Sequence, residues 1–115
     1  MPLIPISAAR AQILVKQGAI LVDIREPAEF AAQAIPGSRN LPLSQLSNTK
    51  LDIQGPKVIF LCRSGARTAA NDRALFDLGG PGAQVLQNGL MAWAAAGFQT
   101  ESNASPRTGI LGLFG

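Results

Sequence analysis

The chain has 115 residues, 47% of them hydrophobic and 15% charged, which suffices for one buried core and is too short for two domains. A single cysteine excludes an internal disulfide, and the lack of any histidine removes both the usual Cys/His zinc sites and an imidazole base. The net charge of +3 comes from scattered basic residues, seven of the ten being arginine, so a nucleic-acid surface is not expected and small anionic ligands are favoured.

Short apolar runs alternate with helix-like stretches, which predicts an α/β fold with a mostly parallel sheet. Met1 to Ile6 lacks the charged start and long apolar stretch of a secretion signal, and nothing reaches the ~20 apolar residues of a membrane span. A cytoplasmic location is therefore expected, where a lone thiol stays reduced. Ser7 is placed to cap a helix running to about Gln17, with Gly18 as its stop. Residues 19–24 are apolar on both faces, as a buried parallel strand should be. Glu26 to Gln33 reads as a short helix with Pro27 in its first turn, followed by a turn at Ile35-Pro36-Gly37. Leu41 to Leu43 is extended, and Ser44 is a candidate cap for another short helix. Gln54-Gly55-Pro56 breaks the chain before a second buried strand, Lys57 to Leu61. A tight loop from Arg63 to Ala66 leads into one helix from Arg67 to Leu78. Gln84 to Leu86 forms a third strand, Asn88-Gly89 a turn and Leu90 to Ala96 a last helix. Residues 1–99 are expected to form the domain, with 100–115 as an irregular tail.

The chemistry concentrates where the second buried strand ends, at Cys62-Arg63-Ser64-Gly65-Ala66-Arg67. Ligands of open parallel sheets bind at the C-terminal ends of strands. Here the loop runs into a helix N-terminus, whose free N–H groups and dipole favour an anion. Gly65 lets successive amides turn inward as a nest, and Arg63 and Arg67 add two permanent charges. Each of these features favours a thiolate at Cys62. A buried structural thiol is the bland alternative. The flanking arginines and the glycine argue against it, since arginine beside an inert buried thiol is costly.

Three segments, in order, carry a resemblance. They are Leu21 to Phe30, continuing through Ile35-Pro36-Gly37-Ser38-Arg39-Asn40-Leu41-Pro42-Leu43; Cys62 to Thr68; and Gly89-Leu90-Met91-Ala92-Trp93 with Ala96-Gly97. Together they make the chain resemble the rhodanese homology domain over roughly Ser7 to Phe98. Two departures stand out: Ala34 where many relatives carry histidine, and Asn88-Gly89 where a Gly-Gly pair is usual.

The resemblance implies a three-layer fold with a central, mostly parallel five-stranded sheet flanked by helices. It implies a thiosulfate sulfurtransferase in which Cys62 accepts sulfane sulfur as a persulfide. The substrate-binding loop would be Arg63, Ser64, Gly65, Ala66, Arg67 and Thr68, with Arg63 guiding an anionic donor. The acceptor would be cyanide, a thiol or a protein, and no metal or organic cofactor is implied. Asp23 and Arg25 read first as a structural ion pair or cap; in the family they brace the active-site loop. Trp93 reads as core, and Arg39 and Arg73 as solvated or structural. Two other functions remain open: a sulfur-carrier or regulatory module without independent catalysis, and a phosphatase or arsenate reductase. The last uses cysteine, five residues and arginine, whereas only four residues separate Cys62 from Arg67. The apolar end, Gly109 to Gly115, is too short to span a membrane but could serve as a weak docking segment.

Overall fold

Five parallel strands build the sheet in the order β1-β5-β4-β2-β3, in a computed structural model that describes residues 3–102. The strands are β1 (Ile4–Ile6), β2 (Ile20–Asp23), β3 (Arg39–Asn40), β4 (Val58–Leu61) and β5 (Gln84–Leu86). The helices are α1 (Ala8–Lys16), α2 (Pro27–Ala32), α3 (Ala66–Ala70), α4 (Asp72–Gly79) and α5 (Gly89–Ala95), with short 3₁₀ turns at Leu43–Asn48 and Gly55–Lys57.

The pleat of β4 divides the core. Ile59 and Leu61 face a cluster with Leu21, Leu86, Ala8 and Ala11 of α1, and Leu90 and Trp93 of α5. Val58, Phe60 and Cys62 face the other side, with Val22, Ile24 and Leu75 of α4. Both faces of β2 and β4 are thus covered, which is why Ile20 to Val22 and Val58 to Leu61 are apolar without alternation. Trp93 is core, as expected. It meets Phe98 edge-on at a centroid distance of 5.1 Å, and its indole N–H donates to the Gln99 carbonyl at 2.8 Å.

Ser7 caps α1, its Oγ accepting the Arg10 N–H at 3.1 Å, and α2 begins at Pro27 with a capping box between Glu26 and Glu29. Four features differ from the expectations. The helix expected from Arg67 to Leu78 is two helices broken at Asn71. There the Asn71 amide donates to the Arg67 carbonyl at 2.8 Å, competing with the backbone ladder as short polar side chains do. The second 3₁₀ turn occupies the stretch read as a breaker. Ile4–Ile6 adds an edge strand on β5, a position that tolerates Pro5. The extended segment pairs at Arg39–Asn40, and the 3₁₀ turn after it is preceded by Pro42 rather than capped by Ser44.

The chain beyond Phe98 stays attached at its start. Ala34 and Glu101 exchange both backbone hydrogen bonds at 2.8 Å. The apolar end, Gly109 to Gly115, lies outside the described residues. Among the described residues no helix is long and apolar enough to cross a membrane.

Candidate active site

Cys62 follows the last residue of β4, the middle strand, at the C-terminal edge of the sheet. It is almost wholly buried, with 1% of its surface exposed. The Gly65 N–H donates to its Sγ at 3.1 Å, and the Thr68 Oγ1 lies 3.8 Å from the same sulfur. The Thr68 hydroxyl also donates to the Gly65 carbonyl at 3.0 Å, so it ties the loop to α3. Gly65 has a φ of 98°, a region that glycine enters without penalty. Ser64 is exposed, and its Oγ lies 3.4 Å from the Ala66 N–H. Ala66 opens α3, which is only five residues long.

The loop's carbonyls are held from the other side. Leu90 N–H donates to the Cys62 carbonyl at 2.9 Å and Met91 N–H to the Arg63 carbonyl at 3.0 Å. The free N-terminal amides of α5 thus take up the carbonyls at the start of the loop. This contact dictates the Asn88-Gly89 turn, where both residues have positive φ, 57° and 55°. A Cβ on Gly89 would overlap the Cys62 carbonyl oxygen and lie 2.8 Å from the Arg63 carbonyl group. Asparagine serves in place of the usual glycine because it tolerates the left-handed region.

Asp23 and Arg25 form a buried pair beside this loop, 0% and 3% exposed. Arg25 Nη2 meets Asp23 Oδ2 at 2.7 Å and its Nε contacts both carboxylate oxygens. The remaining donors reach the carbonyls of Gln33 at 2.6 Å and Glu29 at 3.3 Å. Arg25 therefore caps the C-terminal end of α2 as well as neutralising Asp23. Asn40 closes the arrangement by donating to the carbonyls of Asp23 and Arg25 at 3.0 and 2.8 Å.

Arg67, expected as a member of the substrate-binding loop, is engaged with a carboxylate of α2. Its Nη1 and Nη2 form a fork on the Glu29 carboxylate at 2.7 and 2.9 Å. This bidentate pair holds the Glu29 carboxyl down at about 2 and raises Arg67. Glu29 also accepts the Glu26 N–H at 3.1 Å. Asp23, Arg25, Glu29 and Arg67 thus make a four-residue brace from β2 through α2 to the loop. Arg63 is exposed and has no ion-pair partner among the described residues. Arg39 pairs with Asp52 and Arg73 with Asp77, both on the surface and away from this brace.

Sequence reasoning did not single out Glu29 or Asn40, and it took Gly89 as a turn residue without foreseeing its contact with the loop backbone. Glu29 is 38 residues from its partner, so local spacing gave no reason to join them. Two hollows flank the loop. One of about 450 Å³ lies between Ser64, Gly65, Thr68 and Asp72 on one side and Gln87 and Asn88 on the other. A second, of about 250 Å³, is lined by Gln33, Arg63, Leu90, Met91 and Ala94.

This geometry can be set beside known proteins. Residues 7–96 match the Rhodanese-like domain family. An uncharacterised protein of Synechocystis is 36% identical over 90 residues, covering 77% of this chain and 50% of its own length. A sulfurtransferase of Allochromatium vinosum is 37% identical over 79 residues, covering 68% of this chain and 74% of its own length. The thiosulfate sulfurtransferase GlpE of Ectopseudomonas mendocina is 34% identical over 92 residues, covering 78% and 84%. The chain spans only about half the length of some curated relatives, such as the Synechocystis protein. Among solved structures, a rhodanese-related protein from Thermoplasma volcanium aligns with a TM-score of 0.70 and 26% identity, over 85% of this chain and 97% of that one. Sulfur transfer is therefore supported as an activity at the level of the family. With its five-stranded parallel sheet and three ordered motifs, the chain belongs to the rhodanese-like domain family.

Proposed function

We propose that the protein is a thiosulfate-type sulfurtransferase that carries sulfur on Cys62. The Cys62 thiolate attacks the sulfane sulfur of a donor such as thiosulfate. The donor's S–S bond breaks, sulfite leaves with the electron pair, and a Cys62 persulfide remains. Cyanide, a thiol or a protein acceptor then attacks the outer sulfur, and the thiolate is regenerated. This is covalent catalysis with a ping-pong course. Sulfite leaves without needing a proton, so the lack of histidine is no obstacle.

The observation that carries this reading is the Gly65 N–H on the sulfur at 3.1 Å, while the carbonyls of Cys62 and Arg63 are engaged by α5. An amide donor stabilises negative charge, and the carbonyls that would repel it are occupied elsewhere. Arg63 attracts the anionic donor by charge. Ser64, Gly65, Ala66 and Thr68 shape the cup, and Arg67 braces it through Glu29. Asp23 and Arg25 support the loop from outside the reacting atoms. A reducing compartment such as the cytoplasm suits a free thiol.

Incubation with thiosulfate should add the mass of one sulfur to the intact protein. Cyanide should remove it, and Cys62→Ser should not gain it. No adduct with any sulfane donor would overturn the assignment. A second reading has one observation behind it: a Rhodopseudomonas palustris protein named as a possible tyrosine phosphatase aligns at 28% identity and a TM-score of 0.69. Hydrolysis of an aryl phosphate without sulfur transfer would favour that reading. The four-residue spacing and the engagement of Arg67 with Glu29 oppose it, since a phosphoryl group wants donors on each of its oxygens.

A further inference from the structure

The two hollows that flank the active-site loop carry opposite charge. The smaller, of about 250 Å³, has Arg63 as its one charged side chain. The larger, of about 450 Å³, has Asp72. Asp72 opens α4, and its carboxylate meets no basic side chain among the described residues. With it stand Ser64, Gln87 and Asn88, all exposed. A carboxylate, two amide oxygens and a hydroxyl can all accept hydrogen bonds, the complement of an ammonium group, which only donates. Val85 and Leu86 add apolar surface for a short carbon chain. The hollow also adjoins the sulfur. Gly65 and Thr68 line it, and these same residues contact the Cys62 Sγ at 3.1 and 3.8 Å. It lies at the C-terminal end of β5, next to that of β4, where ligands of parallel sheets bind. Its volume is that of a site for a small molecule.

We propose that this larger hollow is the acceptor site of sulfur transfer and that Asp72 selects small thiols carrying an ammonium group, such as cysteamine. This rests on the sulfur-transfer reading above and names its acceptor class. The anionic donor and the ammonium-bearing acceptor then use opposite sides of the loop, the first drawn by Arg63 and the second by Asp72. The acceptor, as its thiolate, bonds the outer sulfur of the Cys62 persulfide. The sulfur–sulfur bond to Cys62 breaks, the electron pair returns to the Cys62 thiolate, and the product leaves as an alkyl persulfide. The acceptor's thiol proton has gone to water before attack, so no protein base is needed.

The test isolates the second half of the reaction. Thiosulfate or another sulfane donor loads Cys62, excess donor is removed, and intact mass follows the loss of the added sulfur to each of three acceptors. Cysteamine carries a positive group, mercaptoethanol none and mercaptoacetate a negative one. Second-order rate constants are referred to thiolate concentration. Asp72→Asn keeps the size of the side chain and removes its charge. A unit charge beside a solvent-accessible carboxylate is worth about threefold. Asp72→Asn should therefore slow cysteamine about threefold relative to mercaptoethanol, and speed mercaptoacetate by a similar factor on the same scale. Asp72→Glu, which returns the charge, should return the native order of the three. An Asp72 that only suits the dipole of α4 predicts a lower unfolding midpoint and equal changes for all acceptors. Equal changes, none, or the reverse order overturn the inference and leave sulfur transfer intact. If no sulfane donor loads Cys62, the sulfur-transfer reading fails and this inference fails with it.

Discussion

The ends of β2 and β4 lie side by side in the sheet, with Asp23 opposite Leu61, and they are finished in contrasting ways. The β2 end is saturated with polar contacts. The Asp23 carboxylate takes the Arg25 side chain and backbone N–H, and the Arg25 guanidinium satisfies two further carbonyls. The β4 end has a sulfur with one backbone N–H at 3.1 Å and one hydroxyl at 3.8 Å. Both are buried, yet only the first is fully bonded. The difference separates a support from a reagent. A buried charge must be completely compensated, whereas a buried thiol tolerates sparse partners and keeps the capacity to react.

Three substitutions break or sharpen this contrast. Arg25→Met leaves the Asp23 carboxylate buried without its cation and should cost about 3–5 kcal/mol in urea unfolding. Cys62→Ala should cost only about 1 kcal/mol, an ordinary amount for a point change. Equal costs for the two would erase the distinction between the strand ends. Gly89→Ala comes next. Its Cβ would overlap the Cys62 carbonyl oxygen, and the positive φ adds strain, so a loss of about 2–3 kcal/mol is expected. Sulfur transfer should fall with it, because relief requires the loop to shift. Retention of full activity and stability would show that the grip of α5 on the loop does not matter.

The smallest effect concerns Glu29. Its carboxyl is held at about 2, below the ordinary 4.5, by the Arg67 guanidinium. A lowered carboxylate stabilises the fold above its ordinary value, and that contribution disappears as pH falls through the lowered one. Native protein should therefore exceed Glu29→Gln in stability by about 0.5–1 kcal/mol at pH 7, as befits a pair more than one third exposed. The gap should close between about pH 4.5 and 2. A gap unchanged across that range would separate Glu29's stabilising role from its charge.

The parts legible in the sequence were those with local causes. Ser7 and Pro27 set helix starts, the apolar runs 20–22 and 58–61 lie in strands buried on both faces, and Gly65 turns the loop beneath Cys62. The details that escaped prediction depend on distant contacts or on competition within a turn. Ile4–Ile6 becomes a strand only because β5 is beside it. Asn71 breaks a strongly helical stretch because its amide finds the Arg67 carbonyl. Arg67 could be recognised as a member of the loop motif, but its commitment to Glu29 arises from the approach of α2 in space. Gly89 looked like a turn residue, and its second task, admitting the loop backbone, appears only when α5 meets Cys62.

The position of β4 at the centre of the sheet has a kinetic consequence. Its backbone amides exchange ladders with both β2 and β5, so they belong to the segment expected to give up deuterium last, near the free energy of global unfolding. The first turn of α5 grips Cys62 and Arg63, the two residues that follow directly on that segment. Fraying at β1 or β3, the two margins, can proceed without loosening the anchor of Cys62. A sulfur parked there would be sheltered for as long as the middle of the molecule stays closed, while its release would need only the small loop at the tip to yield.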